Sequence, residues 1–363
     1  MQITELIGSS QQIYWGMTSV QFFFMIQVSA ACVALAAAHR AFALKSLEPF
    51  ASFGLILGLS LALVAPLNLI LELEQPARFA SMLYRTHISS PLSWGVFTIL
   101  GYTALAALFA LATLRGALHR RDKHRLDPLS RLIAGGAPLG ERTLKTLAGL
   151  ALVGAVAVFF YSSMDLAAVG ARDLWHVSIV PIVFACSALA AAAALVALFE
   201  GMTRGATGER AVLLRGWITL FLALELVVQA LWFLIDFVFG NDVGRLAFDS
   251  VLNAGFENFI VLGLGATILL PLALLCLAGH SRAALAGASL LTLAGAYLVR
   301  WNVVVTGQQI PRTGVGVTPY DLGAWAHGGL MQALAPLALW AAFMIAITWT
   351  TPWKLAFGQQ REG

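Results

Sequence analysis

Residues 14–38 read YWGMTSVQFFFMIQVSAACVALAAA and contain no charged side chain. A bilayer has a hydrocarbon core about 30 Å thick, and an α-helix needs about 20 mostly apolar residues to span it. The polar start of the chain, MQITELIGSSQQ, lacks the basic first region of a signal peptide, so this span is expected to be retained. The stretch therefore predicts a transmembrane helix.

Further runs of the same kind follow, separated from one another by charged residues or by Gly and Pro. The nine predicted spans cover residues 14–38, 50–71, 92–114, 147–164, 177–199, 214–236, 258–277, 283–299 and 328–349. Helices cross lipid because they satisfy their own backbone hydrogen bonds. We therefore predict an all-α polytopic membrane protein with about nine transmembrane helices. Residues 1–355 are expected to form a single membrane domain, and 356–363 a short cytoplasmic tail.

The composition excludes a water-soluble globular protein and a disordered chain. Of the 363 residues, 60% are hydrophobic and only 11% are charged, and the mean hydropathy is +0.83. A soluble domain carries about 25% charged residues, whereas a disordered chain combines low hydrophobicity with high charge. Basic loops on one side of the membrane explain the net charge of +4. Membrane lipid is therefore the expected surrounding, and no nucleic-acid partner is expected.

The basic residues are divided unequally between the two sets of loops. One set holds 16 of the 22 Lys and Arg residues, and its largest group is HRRDKHR at 119–125. The other set holds the remaining Arg78, Arg85, Arg172, Arg245, Arg300 and Arg312. Because Lys and Arg accumulate in cytoplasmic loops, the N-terminus is predicted to lie outside and the C-terminus in the cytoplasm.

Glu225 lies near the middle of the sixth predicted span. At about 100° per residue, the side chains of Gln229, Trp232 and Asp236 fall within about 40° of it around the helix. An ionisable residue inside the membrane is by default a functional candidate. The stripe is interpreted either as a proton path through Glu225, Gln229 and Asp236 or as a polar seam that bonds neighbouring helices.

Two pairs of polar residues lie at predicted outer ends of helices. Glu72 ends the second span, and Arg78, with which it can pair, follows shortly afterwards. Tyr161 and Asp165 are one turn apart near the end of the fourth span. A phenol and a carboxylate at membrane depth suit a quinone, whose two carbonyls need hydrogen-bond donors and protons. For each pair, a structural role that fixes a loop or a helix end is the alternative.

The histidines and cysteines do not favour a metal centre in this chain. A haem held across a helix bundle needs histidine ligands on facing helices, usually well inside the membrane. The histidines lie at or beyond span ends, so only a pair at one face, His39 with His280 or His176 with His327, could still ligate haem. The three cysteines form no CxxC motif. No haem or iron–sulfur cluster is therefore expected here.

Several segments on the predicted outer side form a recognisable set. They are ELEQPARF at 72–79, SPLSWG at 90–95, YSS at 161–163, RDLW at 172–175 with Pro181, Phe184 and SAL at 187–189, and RWNV at 300–303 with Gly307 and Gln308. In this order they resemble segments of the polysulfide reductase membrane-subunit family, NrfD/PsrC. The resemblance covers most of the chain from the first helix to about residue 310.

The resemblance implies a fold, a function and a set of partners. Such subunits form two four-helix bundles, here expected at about 14–164 and 177–299, with 328–349 as an extra helix. They anchor a respiratory oxidoreductase complex in the cytoplasmic membrane of a bacterium or archaeon and bind menaquinone or ubiquinone. Electrons are exchanged with an iron–sulfur subunit, which joins a molybdopterin catalytic subunit.

The same resemblance implies site residues. Glu72, Arg78 and Tyr161 are the best quinone-site candidates, and Asp165 and His176 are plausible neighbours. The partner-docking loop or the rim of the pocket is expected to be shaped by Arg85, Ser90 and Trp94.

A proton-coupled secondary transporter is the alternative function. In a transporter, Glu225 at mid-membrane would bind the proton or the substrate. Transporters often contain inverted repeats and discontinuous helices, and neither is clear in this sequence, whose polar residues gather at the outer ends. The quinone-reactive subunit is therefore the preferred interpretation.

Overall fold

The computed structural model describes most of the chain. Residues 15–87, 90–119, 137–170, 174–204, 208–239, 255–278, 281–309, 323–325 and 329–350 are described, together with residues 13, 131, 135, 172, 245, 252 and 320. The predicted tail 356–363, the histidines His280 and His327, and the side chain of Asp236 lie outside the described residues.

Nine helices in the described ranges are long and apolar enough to cross a membrane. They are α1 (Met17–Phe42), α2 (Phe53–Glu72), α3 (Pro91–His119), α4 (Glu141–Ala167), α5 (Val180–Arg204), α6 (Glu209–Phe239), α7 (Glu257–Leu277), α8 (Arg282–Gln309) and α9 (Leu330–Thr350). Each contains most of the span predicted for it, so the all-α polytopic fold is confirmed. Two short 3-10 helices, Lys45–Phe50 and Pro76–Leu83, follow α1 and α2.

The largest differences from the predicted boundaries are at the start of the fourth helix and at the end of the eighth. The fourth helix begins at Glu141, one and a half turns before the apolar run, and its first residues are exposed and charged. A helix can extend beyond the hydrocarbon because its backbone bonds are satisfied in water as well as in lipid. The eighth helix continues through Arg300 to Gln309, although the predicted span ended at residue 299.

Assigning Arg300 to an outer loop was therefore wrong. Its side chain has 0% exposure, and it lies within α8 rather than beyond it. A charged residue usually marks the end of a span, but here its charge is bonded inside the protein. Arg300 thus carries no weight in the loop count that predicts the orientation of the chain.

Two neighbouring helices contain π-helical segments, Glu257–Leu269 in α7 and Asn302–Thr306 in α8. They contact each other, since the Asn302 side-chain amide donates to the Asn258 carbonyl at 3.0 Å. Further along, α7 and α8 approach so closely that a Cβ at Gly295 would lie 2.6 Å from the Thr267 Cβ. π-Helical turns are often associated with functional sites because they re-aim side chains. Here Asn302, the first residue of the second π-helical segment, is buried.

The first helix is the centre of the packing. It is buried along nearly its whole length and contacts α2, α4, α5, α8 and α9. Among the other helices, the main contacts join α3 with α4, and α5 with α6 and α8, while α9 packs on α2. The grouping into two bundles, the single domain 1–355 and the outside position of the N-terminus stay predictions.

Ion pairs tie the helices together at the end that is predicted to face the cytoplasm. The Arg210 guanidinium at the start of α6 bonds the Glu200 carboxylate of α5 at 2.8 Å and also pairs with Glu48. The Glu200 side chain is only 3% exposed. A second pair, Arg40 with Glu141, joins α1 to α4 at 2.5 Å but is much more exposed.

Because Glu200 is buried, we expect the Arg210→Gln variant to lower the midpoint of thermal unfolding by several degrees. The substitution removes a charged hydrogen-bond partner from a buried carboxylate, which costs about 2–3 kcal/mol at a partly buried site. Arg40→Gln is the matched control, and its exposed pair is expected to contribute less than about 1 kcal/mol. Equal shifts in the two variants, measured by thermal unfolding in detergent, would contradict this assignment.

Candidate functional site

A cavity of about 390 Å³ lies at the predicted outer end of α4. It is lined by Tyr161, Met164, Asp165, Ala167, Ala168, His176 and Ser178. Residues at positions i, i+3, i+4 and i+7 share one face of a helix, which is why 161, 164, 165 and 168 meet there. The structure therefore brings together three of the five residues predicted for the quinone site: Tyr161, Asp165 and His176.

His176 belongs to the segment that follows α4 and forms part of the cavity wall. One of its ring nitrogens, Nδ1, lies 2.8 Å from the Ala167 carbonyl, which is at the end of α4 and has no helical partner. This contact favours a proton on Nδ1 and leaves Nε2 as the acceptor. The ring is exposed, so Nε2 can exchange a proton with water.

Tyr161 and Asp165 are available to a ligand. Both side chains are half-buried, and in the ranges given above neither the phenol nor the carboxylate has a hydrogen-bond or ion-pair partner. A half-buried carboxylate without a partner is costly unless something else satisfies it. The cavity thus offers two hydroxyl groups, those of Tyr161 and Ser178, together with one carboxylate and one imidazole, and its remaining lining residues are apolar.

The position of Tyr161 depends on a glycine in α3. A Cβ at Gly95 would overlap the Tyr161 hydroxyl and ring, so only glycine allows the ring to lie against this helix. Gly95 belongs to the SPLSWG segment, and Tyr161 belongs to the YSS segment. The two motifs are therefore parts of one contact.

The segment that carries His176 is anchored by Trp175, which is 5% exposed. Its indole N–H donates to the Val303 carbonyl at 2.7 Å, and its ring stacks on Trp15 with centroids 5.1 Å apart. A Cβ at Gly307 would overlap the indole. Tryptophans at the ends of spans are usually interfacial anchors, so the sequence position of Trp175 did not reveal this buried role.

Glu72 and Arg78 lie away from this cavity. The Glu72 carboxylate accepts a hydrogen bond from the Gly16 backbone N–H at 2.9 Å, which joins the start of α1 to the end of α2. The Arg78 side chain is exposed on the short helix Pro76–Leu83, and no Glu72–Arg78 ion pair forms between these two described residues. Their part in a quinone site stays a prediction.

The three predicted docking residues lie near the start of α3. The Arg85 guanidinium is 6.0 Å from the centre of the Tyr84 ring, and both residues are exposed. Ser90 precedes the helix, and Trp94 is 56% exposed beside Gly95. Arg85 and Trp94 are exposed and Ser90 is half-buried near the start of the helix that positions Tyr161, and docking itself stays a prediction.

Glu225 is buried within α6, and its Oε1 accepts a hydrogen bond from Gln229 at 3.2 Å. Its carboxylate is close enough to the Arg300 guanidinium of α8 for the two charges to interact. Cys186 of α5 also lies near this carboxylate. Of the predicted stripe, Glu225 and Gln229 are thus shown in contact.

Arg300 is the central polar residue that sequence analysis missed. Its Nε donates to Gln27 Oε1 at 2.9 Å, and its terminal nitrogens donate to Ser187 Oγ and to the carbonyls of Ala296 and Phe184. The guanidinium also lies 5.1 Å from the centre of the Phe184 ring, within cation–π range. The apolar residues on both sides of Arg300 were the available signal that it is inside a span.

Gln27 connects the hydrogen bonds of Arg300 with the helix turn beside the cavity. Its amide N–H₂ donates to Ser162 Oγ and to Ser163 Oγ, each at 3.2 Å. These serines directly follow Tyr161 in α4. A hydrogen-bonded chain thus runs from Arg300 in α8 through α1 to the turn that bears the cavity.

Comparison with known proteins identifies the family. A family model described as polysulphide reductase, NrfD, matches residues 5–312. A subunit of the tetrathionate reductase of Salmonella typhimurium is 27% identical over 345 residues, covering 95% of this chain and 94% of that protein. A subunit of the selenate reductase of Mesobacillus selenatarsenatis is 24% identical over 318 residues, covering 82% and 74% respectively. Because the family match includes α1 to α8 and both polar sites, the chain belongs to the NrfD polysulphide reductase family.

Proposed function

We propose that this chain is the quinone-reactive membrane subunit of a respiratory oxidoreductase complex. The observation that carries the proposal is the cavity that gathers Tyr161, Asp165 and His176 at the end of α4. Two relatives are subunits of a tetrathionate reductase and of a selenate reductase, which supports a membrane role in a multi-subunit reductase. The proposed site is at the outer end of a membrane helix, where a lipid-soluble carrier can reach it.

The cavity fits the head group of menaquinone or ubiquinone. Its volume of about 390 Å³ is within the usual range for small-molecule sites. Such sites combine apolar walls with a few polar groups that fix orientation. Met164 and Ala168 supply apolar wall, and the Tyr161 hydroxyl supplies a donor for a ring carbonyl. Glu72 and Arg78 are included in the proposal on the family resemblance alone.

When bound, a quinone and quinol pair supplies two-electron, two-proton redox chemistry. The residues of this chain orient the ring and handle the protons. Tyr161 Oη holds one ring oxygen by donating its hydrogen bond. The Asp165 carboxylate takes or returns a proton, and His176 Nε2 exchanges that proton with water at the exposed rim. A positioned acid or base of this kind contributes about 100-fold or more to a rate.

The electrons are proposed to pass to or from an iron–sulfur subunit that docks near Arg85, Ser90 and Trp94. A molybdopterin catalytic subunit would complete the assembly, in the cytoplasmic membrane of a bacterium or archaeon. The buried Glu225 and Gln229, with Asp236 further along α6, are proposed as a proton path. The support for this path is the hydrogen bond between its first two members within the membrane.

We expect Tyr161→Phe to lower quinol-linked turnover of the assembled complex about 3- to 10-fold, because one hydrogen bond to a ring oxygen is lost. Asp165→Asn should cost about 100-fold, because the proton acceptor is removed. Tyr84→Phe is the matched control, since Tyr84 is 71% exposed and outside the cavity. If all three variants turn over quinol at the wild-type rate, the cavity is not the quinone site.

Gly95→Ala should also impair turnover, because the added Cβ displaces the Tyr161 ring. Overpacking of this kind costs about 1–3 kcal/mol. Gly101→Ala is the control on the same helix, where a Cβ would meet nothing within 4 Å. It should leave turnover unchanged and stability equal or up to about 1 kcal/mol higher. Turnover and thermal unfolding of both variants test this, and equal behaviour would show that Gly95 is not needed for the Tyr161 position.

Partner capture tests the assembly. The tagged chain, extracted from its native membrane in mild detergent, should bring down a multi-cysteine ferredoxin-like protein and a molybdopterin protein. Arg85→Glu should reduce this recovery several-fold, whereas Arg142→Glu, an exposed charge at the far end of α4, should not. A chain that purifies alone, without iron or molybdenum, would favour the transporter function instead.

A further inference from the structure

The guanidinium of Arg300 interacts with side chains of other helices. It hydrogen-bonds Gln27 of α1, and its charge interacts with that of Glu225 of α6. Among the described side chains, no carboxylate lies within ion-pair distance of Arg300. Its charge is therefore balanced at longer range, by a carboxylate whose own charge can change when it binds a proton.

The amide of Gln27 has a defined orientation. Its carbonyl oxygen faces the Arg300 N–H, and its N–H₂ group faces the two serine hydroxyls. Turning the amide over would place N–H against N–H at Arg300, so the guanidinium fixes which way the amide points. The two serines are thus held by a group whose position depends on Arg300.

Those serines belong to the turn that forms the cavity wall. Ser162 and Ser163 are fully buried and follow Tyr161 directly, and Asp165 comes two residues later. A displacement of the amide would therefore act on the backbone that carries both cavity groups. Interiors are closely packed, so such shifts are passed to bonded neighbours rather than absorbed.

We propose that Gln27 is a positioning residue that couples the charge state of Glu225 to ligand binding in the Tyr161 cavity. The inference rests on the proposed quinone site. When Glu225 is ionised, it attracts the guanidinium. When Glu225 is neutral, that attraction is lost, and the guanidinium is held by Gln27, Ser187 and the two carbonyls alone. Among the described residues, Gln229 and Cys186 are the other groups that interact with Glu225, and neither is in hydrogen-bond contact with Gln27.

A double-mutant cycle tests the coupling. The dissociation constant of 2-methyl-1,4-naphthoquinone, a head-group probe, is measured for the detergent-purified complex, for Glu225→Gln, for Gln27→Met and for the double variant. Methionine keeps the length of glutamine but cannot hydrogen-bond in the same way. Glu225→Gln should change the dissociation constant about 3- to 10-fold in the Gln27 protein and less than about 2-fold in the Gln27→Met protein.

Gln21→Met is the matched control. Gln21 is also buried on α1, but its side-chain amide donates to the Ala333 carbonyl of α9 at 2.9 Å and not to α4. In the Gln21→Met protein, Glu225→Gln should keep its full effect. If Gln27→Met does not fold, the Ser162→Ala/Ser163→Ala variant removes the same bonds from the other side and should abolish the coupling equally.

The outcomes separate the two proposals. A wild-type complex that does not bind the probe refutes the quinone site itself. Binding with additive effects of Glu225→Gln and Gln27→Met refutes the coupling but leaves the quinone site standing, because a purely structural Gln27 would shift affinity equally in both backgrounds. Equal loss of coupling in Gln21→Met also overturns the role of Gln27. The proposal is supported if the coupling is lost in the Gln27→Met protein, or in the serine variant, and is kept in the Gln21→Met protein.

Discussion

An arginine inside the membrane must have its N–H groups satisfied by the protein, and Arg300 imposes this constraint on the whole helix assembly. A charged side chain at membrane depth costs several kcal/mol unless it is bonded. Four of its N–H groups bind oxygen atoms of α1, α5 and α8. Since these helices contribute the acceptors, none can slide past the others without leaving a buried charge without its partners. These hydrogen bonds therefore act together with close packing to set the relative position of the three helices.

The position of the cavity depends on the hydrogen bonds of Arg300. Gln27 joins the guanidinium to the Ser162–Ser163 turn of α4, and α4 then carries Tyr161 to the one place in α3 where glycine admits its ring. On the other side, Gly307 admits the indole of Trp175, the neighbour of His176. Two close approaches that need glycine thus fix two walls of one site. A polar network in the core and glycine contacts at the end together position the three groups.

The sequence predicts those features that depend on local spacing or on hydrocarbon thickness. Nine spans follow from apolar run length, and the pairing of Tyr161 with Asp165 follows from the helical period. Arg300 was misplaced because hydropathy treats any charge as a boundary, while the bonds that bury it come from residues more than 100 positions away, such as Gln27 and Ser187. The same limit explains Glu72. Its sequence position did not indicate its hydrogen bond with the Gly16 backbone N–H, which lies at the start of another helix.

The proposed coupling between Glu225 and the Tyr161 cavity depends on which side chain is at position 27. A carboxylate there would pair directly with Arg300, and a direct pair in a medium of low dielectric constant would outweigh the more distant attraction of Glu225. The guanidinium would then be insensitive to whether Glu225 is charged. An apolar residue would leave an N–H without an acceptor and α4 without a connection to the network. An amide avoids both outcomes, because it accepts from the guanidinium without neutralising it and donates to α4 with its other end. Gln27 thus gives the buried guanidinium a hydrogen-bond acceptor without neutralising its charge, so the guanidinium can still interact with the charge of Glu225.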